Sequence, residues 1–136
     1  MNHIKRCQEF RKLLRQSCVM VPGAFNGLVA RIVAQKGFGA TYISGAALTA
    51  SYGVPDIGLL TLDHFSCRIK EISLSSGLPI IADADTGFGE GESAYRTVYD
   101  YFLSGASGII TSSSYRRPGL PEAMRSPRRQ GTPLSV

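Results

Sequence analysis

Apolar positions along this chain switch repeatedly between a helical and a strand-like spacing. Phe10, Leu13 and Leu14 fall on one face of a helix predicted over residues 3–16. The run Val19-Met20-Val21 predicts a short strand, stopped by Pro22-Gly23. A helix follows over 26–36, where Leu28 with Ile32 and Val29 with Val33 stand at the i, i+4 spacing of a buried stripe, and Gly37-Phe38-Gly39 ends it. Ala40-Thr41-Tyr42-Ile43-Ser44 reads as a second strand. Residues 45–60, with Gly45, Gly53, Pro55 and Gly58, read as a long connection. Thr61 is placed to cap a helix over 62–75 that carries Phe65, Ile69 and Ile72 on one side. A third strand is predicted over 79–83, a helix bearing Val98, Tyr101 and Phe102 over 92–104, and a fourth strand from Ser107-Gly108-Ile109-Ile110.

Strands separated by helices imply parallel pairing, hence an α/β fold. The long loops follow strands, while the helix-to-strand turns are short and built on glycine. That asymmetry gathers chemistry at the C-terminal ends of the strands, as in a barrel or an open sheet. With 136 residues, 43% hydrophobic and 18% charged, the chain is expected to form one globular core rather than a disordered polymer. No apolar run approaches the length of a membrane span, and the N-terminal stretch lacks the uninterrupted apolar core of a secretory signal. Cys7, Cys18 and Cys67 are odd in number, widely spaced and without a Cys-x-x-Cys pair. They fit neither a disulfide framework nor a zinc site and point to a reducing compartment.

The net charge of +5 changes the picture only at the end of the chain. Residues 1–110 carry ten Lys or Arg against nine Asp or Glu; residues 111–136 carry five Arg against Glu122. Four of the seven prolines lie in those last 26 residues, and no apolar period of either kind survives there. The segment 111–136 therefore reads as a disordered Arg- and Pro-rich tail behind a domain over 1–110. Tyr115 is its only aromatic, so the stacking pattern of a nucleic-acid binder is missing, and no nucleic-acid partner is expected.

The stretch that carries most chemical information is Asp83-Ala84-Asp85-Thr86-Gly87-Phe88-Gly89, directly after the apolar run Leu78-Pro79-Ile80-Ile81-Ala82. Residues two apart in a strand point the same way, so Asp83 and Asp85 are expected to aim at one point past a buried strand. Gly87 and Gly89 would let the backbone turn sharply beside them. Two converging carboxylates suit a hard cation such as Mg²⁺, which prefers oxygen ligands. Asp56, in the stiff loop Gly53-Val54-Pro55-Asp56-Ile57-Gly58, offers a third carboxylate, although a turn residue is its simpler reading. Tyr42-Ile43-Ser44-Gly45-Ala46-Ala47 leaves the second strand with a hydroxyl and small residues, where backbone N–H groups could bind a carboxylate or phosphate. Gly87-Phe88-Gly89-Glu90-Gly91 lacks both the Lys-Ser/Thr of a P-loop and the full Gly-x-Gly-x-x-Gly pattern. His3 and His64 have no neighbours at ligand spacing, and Glu90 and Glu92 suit the start of a helix.

Taken in order, Val21-Pro22-Gly23-Ala24-Phe25-Asn26, Tyr42-Ile43-Ser44-Gly45-Ala46-Ala47, Gly53-Val54-Pro55-Asp56-Ile57-Gly58 and Asp83-Ala84-Asp85-Thr86-Gly87-Phe88-Gly89 resemble the isocitrate lyase/phosphoenolpyruvate mutase superfamily, nearest to its 2-methylisocitrate lyase branch. The resemblance covers roughly residues 8–110. It implies the N-terminal half of a (β/α)8 TIM-type barrel, with about four parallel strands. It implies Mg²⁺, or Mn²⁺ in its place, held by Asp85 with Asp83 and Asp56 directly or through water. It also implies a substrate pocket formed by Tyr42, Ser44, Gly45, Ala46 and Asp83. Ala46 departs mildly from the glycine common at that position. The implied reaction is a metal-dependent carbon–carbon cleavage of a small α-hydroxy or α-keto acid, 2-methylisocitrate giving pyruvate and succinate. Oxaloacetate decarboxylase and carboxyphosphonoenolpyruvate phosphonomutase chemistry are the alternatives.

A relative would continue past the fourth strand with Glu-Asp-Gln and then a mobile Lys-Lys/Arg-Cys-Gly-His loop whose cysteine donates a proton. Residues 111–136 contain neither Cys nor His. The expectation is therefore a truncated fragment, from a frameshift, a retained intron or an alternative transcript, that lacks the catalytic cysteine and is inactive alone. A non-catalytic isoform associating with full-length subunits of the family's homo-tetramer is the other reading. The implied location is the cytoplasm, or the mitochondrial matrix in a eukaryote, with no membrane partner.

Overall fold

Three short strands, β1 (Thr41–Ile43), β2 (Ile80–Asp83) and β3 (Gly108–Ile110), pair in parallel in the order β1-β2-β3. Thr41 stands opposite Ile80 and Ile43 opposite Ala82, while Ile81 stands opposite Gly108 and Asp83 opposite Ile110. The computed structural model that shows this describes residues 3–16, 18–89 and 92–111. Among the described residues five helices accompany the sheet: α1 (His3–Gln16), α2 (Gly27–Gln35), α3 (Gly45–Ser51), α4 (Leu62–Ser76) and α5 (Glu92–Ser104). Strand, helix and parallel strand follow one another as in the first half of a (β/α)8 barrel. The expected disordered tail lies, apart from Thr111, outside the described residues. No helix among the described residues is long and apolar enough to cross a membrane.

The sheet buries one face more deeply than the other. Thr41, Ile43, Ile80 and Ala82 are fully buried and share a core with Phe65, Ile69 and Ile72 of α4. Tyr42, Ile81 and Asp83 alternate with them and are half-buried on the opposite face. α1 contributes Phe10, which lies 3.1 Å from where a Cβ of Gly108 would be. Leu13 packs against Gly39, but Leu14 is exposed, so the predicted apolar face of α1 is narrower than expected.

Four expectations need correction. The run 19–21 forms no strand. Pairing to β1 begins later, where Tyr42 N–H donates to the Pro22 carbonyl (2.9 Å) and Ala24 N–H donates to the Tyr42 carbonyl (2.8 Å), making an isolated parallel bridge at Gly23. This bridge supplies the fourth parallel segment. Strand propensity marked the apolar run, whereas the contact with β1 falls on small residues that allow close approach.

The predicted connection 45–60 contains α3. Ser44 is its N-cap, its Oγ accepting from Ala47 N–H at 3.5 Å, and the alanine-rich centre favours a helix despite the flanking glycines. In α2, Leu28 and Ile32 are exposed, and the face turned inward is instead Gly27, Ala30 and Val33. Close approach to α4 explains the choice: Gly27 N–H donates to Glu71 Oε1 at 2.7 Å, and a Cβ at Gly27 would lie 2.4 Å from Ser75 Oγ. In α5, Tyr101 and Thr97 are buried whereas Val98 and Phe102 are exposed. α4 follows its predicted pattern. Thr61 is its N-cap, with the Thr61 N–H donating to His64 Nδ1 at 3.2 Å, and Gly77 ends it in the left-handed conformation at φ 68°. His64 is thereby a capping residue.

Candidate active site

Asp83 is the last residue of β2, and the chain leaves the strand immediately after it. Its carboxylate gathers three donors. Oδ2 accepts the Tyr42 hydroxyl and the Gly45 N–H, each at 3.2 Å, and Oδ1 accepts the Asp85 N–H at 2.9 Å. Asp83 thus links β1, the start of α3 and the loop that follows β2. Burial, and then the negative charge and hydrogen bond of Asp83, raise the pKa of Tyr42 above that of an ordinary tyrosine. The Tyr42 hydroxyl therefore stays a donor at neutral pH.

The loop 84–89 turns tightly. Gly87 N–H donates to the Ala84 carbonyl at 2.6 Å, and Gly87 and Gly89 take φ of 93° and 142° as expected of glycines in a sharp turn. Asp85 and Phe88 also have positive φ, 47° and 56°. Strand alternation therefore does not carry through to Asp85; the left-handed turn sets its direction instead. Three side chains and a ladder bond fix the loop. Thr97 Oγ1 donates to the Gly87 carbonyl (2.8 Å), Thr111 Oγ1 to the Asp85 carbonyl (3.0 Å), and the Tyr101 hydroxyl to the Asp83 carbonyl (3.0 Å). Ala84 N–H continues the ladder to the Ile110 carbonyl at 2.8 Å.

Past the C-terminal end of β2 lies a cavity of about 420 Å³. Asp56, Asp83 and Asp85 all contribute to its wall, together with Gly45, Thr49 and Thr86. Ile57, Leu60, Phe65 and Phe88 form an apolar side. Phe65 and Phe88 meet edge to face at 5.3 Å between centroids, with Tyr101 behind both at 6.4 Å. The three carboxylates singled out in the sequence thus face one space, Asp56 and Asp85 exposed and Asp83 half-buried. They do not close on a single point: among the described residues no three His, Cys, Asp or Glu side chains form a group that could hold a metal ion.

Gly45 reaches the wall, but its N–H is engaged by Asp83 rather than presented to a ligand. Ser44, Ala46 and Tyr42 are not on the wall. Ser44 Oγ caps α3, Ala46 is exposed, and Tyr42 acts through Asp83. Among the described residues no cysteine or histidine lines the cavity, and Cys7, Cys18 and Cys67 are free thiols. Glu92 opens α5, as a helix-start residue should, whereas Glu90 lies outside the described residues.

Sequence reasoning missed the apolar side. Phe65 read as the ordinary apolar side of a helix, and Leu60 and Phe88 read as loop. Their shared signal is weak: aromatic residues on separate elements meet only once the fold exists.

A family model for phosphoenolpyruvate phosphomutase matches residues 10–124. The match extends beyond residue 110, into the segment set apart above on composition. The chain is 43% identical over 105 residues to the probable 2-methylisocitrate lyase 2 of Corynebacterium glutamicum, covering 74% of this chain and 34% of that protein. It is 45% identical over 104 residues to the chloroplastic carboxyvinyl-carboxyphosphonate phosphorylmutase of Arabidopsis thaliana, covering 74% of this chain and 31% of that one. Among solved structures, a phosphonopyruvate hydrolase in complex with oxalate and Mg²⁺ superposes with a TM-score of 0.74 at 36% identity, covering 78% of this chain and 38% of the other. The chain spans about a third of the length of the curated relatives it matches. With motifs, fold and family match in agreement, this chain belongs to the phosphoenolpyruvate phosphomutase family of the phosphoenolpyruvate mutase/isocitrate lyase superfamily.

Proposed function

We propose that this chain provides the metal- and carboxylate-binding part of an active site that cleaves a carbon–carbon bond in a small α-hydroxy or α-keto acid, with 2-methylisocitrate as the first candidate substrate. The observation that carries the reading is the cavity at the end of β2, which has three aspartates on one side and aliphatic and aromatic groups on the other. Its polar wall offers only oxygen ligands, the donor set of a hard cation. Mg²⁺ usually keeps several waters and takes one or two carboxylates, and Asp83 and Asp85 both line this wall.

In this reading Asp85 would be the principal ligand, with Asp83 and Asp56 reaching the ion directly or through water. Bound there, the ion supplies Lewis-acid stabilisation of the substrate oxygen on which charge develops. The chain's own groups bind and orient. Thr86 offers a hydroxyl on the same wall, whereas the Thr49 hydroxyl donates to the Gly45 and Ala46 carbonyls, and Leu60 and Phe88 face the substrate's alkyl side. Of Ser44, Gly45 and Ala46, proposed for the substrate carboxylate, Gly45 alone lines the cavity, with Tyr42 holding Asp83. Oxaloacetate decarboxylation and phosphonomutase chemistry use the same functional groups and remain the alternatives. None of the described residues on the cavity wall is a cysteine, so proton donation to the leaving fragment is not assigned to this chain.

Mn²⁺ binding followed by electron paramagnetic resonance, with and without oxalate, tests the proposal. The expected result is a site for which oxalate raises Mn²⁺ affinity and which Asp85→Ala abolishes. A chain that leaves Mn²⁺ free in both conditions overturns it.

A second reading, association with longer subunits of the family, has its own observation. Tyr95, Val98, Tyr99, Phe102 and Leu103 form an exposed apolar stripe along α5 at helical spacing.

A further inference from the structure

In the β1–β2 ladder, alternate residues of β1 donate to β2. Thr41 N–H donates to the Pro79 carbonyl at 3.0 Å, and the register assigns Ile43 N–H to the Ile81 carbonyl. The next bond in that series would run from Gly45 N–H to the Asp83 carbonyl. Instead Gly45 N–H donates to the Asp83 carboxylate, and the Asp83 carbonyl accepts the hydroxyl of Tyr101. One residue has exchanged the partners of its main chain and its side chain.

The exchange needs a donor from outside the sheet. Tyr101 is fully buried on α5, with its ring packed against Phe65 and Phe88, which leaves its hydroxyl aimed at the end of β2. One turn earlier on the same helix, Thr97 holds the Gly87 carbonyl. α5 thus pins the acidic loop at both ends.

We propose that Tyr101 is a positioning residue for the carboxylates of the cavity. By occupying the Asp83 carbonyl, its hydroxyl leaves Gly45 N–H to the Asp83 side chain. The oriented side chain then holds Asp85 through Oδ1 and the Asp85 N–H. Without that hydroxyl a half-buried carbonyl loses its partner and competes for Gly45, and the carboxylate is released. The geometry stands by itself, while the consequence for metal affinity rests on the function proposed above.

The test uses the full chain as wild type, Tyr101→Phe and Ile72→Val, the last a buried α4 residue away from the cavity. In Tyr101→Phe, Mn²⁺ affinity is expected to fall roughly tenfold, the scale on which a metal ligand's supporting partner acts. The amide protons of Gly45 and Asp85 are expected to exchange about tenfold faster relative to that of Ile43. Ile72→Val should show neither change. The inference is overturned if Tyr101→Phe keeps wild-type exchange at Gly45 and Asp85, or if Ile72→Val alters them equally.

If the wild type binds no Mn²⁺, the metal reading falls while the exchange rates still decide the positioning role. If Tyr101→Phe does not fold, coupling across the hydrogen bond in the wild type decides it. Coupling from Gly45 N to the carboxyl carbon of Asp83 supports the proposal, and coupling to its main-chain carbonyl carbon overturns it.

Discussion

The N–H of Gly45, the first residue of α3, donates to Oδ2 of Asp83, the last residue of β2, at 3.2 Å. A side chain at position 45 would bring its Cβ to 3.4 Å from that oxygen and 3.7 Å from Phe65 Cζ, ordinary van der Waals contact. Gly45→Ala is therefore expected to fold as well as wild type or better, gaining up to about 1 kcal/mol of helix propensity. The added methyl nevertheless occupies the cavity beside a carboxylate and should weaken Mn²⁺ binding. Urea denaturation and Mn²⁺ titration of the same variant separate the two effects. A variant that binds Mn²⁺ like wild type would remove Gly45 from the site.

Two of the three aspartates, Asp83 and Asp56, should divide into a structural and a functional member. Asp83 satisfies three donors on three segments, so Asp83→Ala is expected to lower stability by about 2–4 kcal/mol, the scale of several charge-assisted hydrogen bonds. Asp56 is exposed on its loop, and Asp56→Ala should change stability by no more than about 0.5 kcal/mol while weakening the metal site. Chemical denaturation of both variants checks the contrast; equal losses would mean that the Asp83 network is not holding the elements together.

Much of this arrangement was legible in the sequence because local signals and tertiary needs agreed. The apolar spacing of Phe65, Ile69 and Ile72 survives in α4, and the glycines after Asp83 occupy the left-handed turn the motif requires. Legibility failed where packing overrode propensity. Leu28 and Ile32 look more hydrophobic than Gly27 and Ala30, yet the small residues face inward because α2 and α4 come too close for larger ones. Asp83 and Asp85 reach the same cavity for a reason other than the one strand periodicity suggested: the first by strand geometry, the second by a turn with φ of 47°. Tyr101 could be placed on a helix from the sequence, but its hydrogen bond joins positions 18 residues apart and appears only in three dimensions.

Two tyrosines tie stability to alkaline pH. Burial, then the charge of Asp83, raises Tyr42, and burial, then the charges of Asp83 and Asp85, raises Tyr101. Both keep their protons in the folded state at pH values where an unfolded tyrosine, with pKa of about 10, loses its own. Above that value the unfolded chain binds fewer protons than the folded one, so stability falls as pH rises. The contribution is complete below the ordinary tyrosine value and is lost as pH climbs through the raised ones. Urea midpoints measured between neutral and strongly alkaline pH should decline for wild type and decline less for Tyr42→Phe and Tyr101→Phe. Parallel curves for all three would show that neither hydroxyl is held as described.

The outer face of α5 makes the last prediction. Tyr95, Val98, Tyr99, Phe102 and Leu103 recur at i, i+3, i+4, i+7 and i+8, which is the spacing of a face meant to be covered, yet all five are exposed among the described residues. Its buried counterpart on the same helix, Thr97 and Tyr101, already serves the loop after β2, so the two faces have separate duties. An apolar stripe of this size favours association, and the chain is expected to sediment heavier than its 14.6 kDa as concentration rises. Tyr95→Glu with Val98→Glu should return it to a monomer without lowering its denaturation midpoint, because neither side chain belongs to the core, whereas Phe102 also packs edge to face on His3 of α1 at 4.6 Å. Analytical ultracentrifugation over a concentration series reads this directly. A wild type that remains at 14.6 kDa throughout would assign the stripe to surface composition alone and remove the support for a role in association.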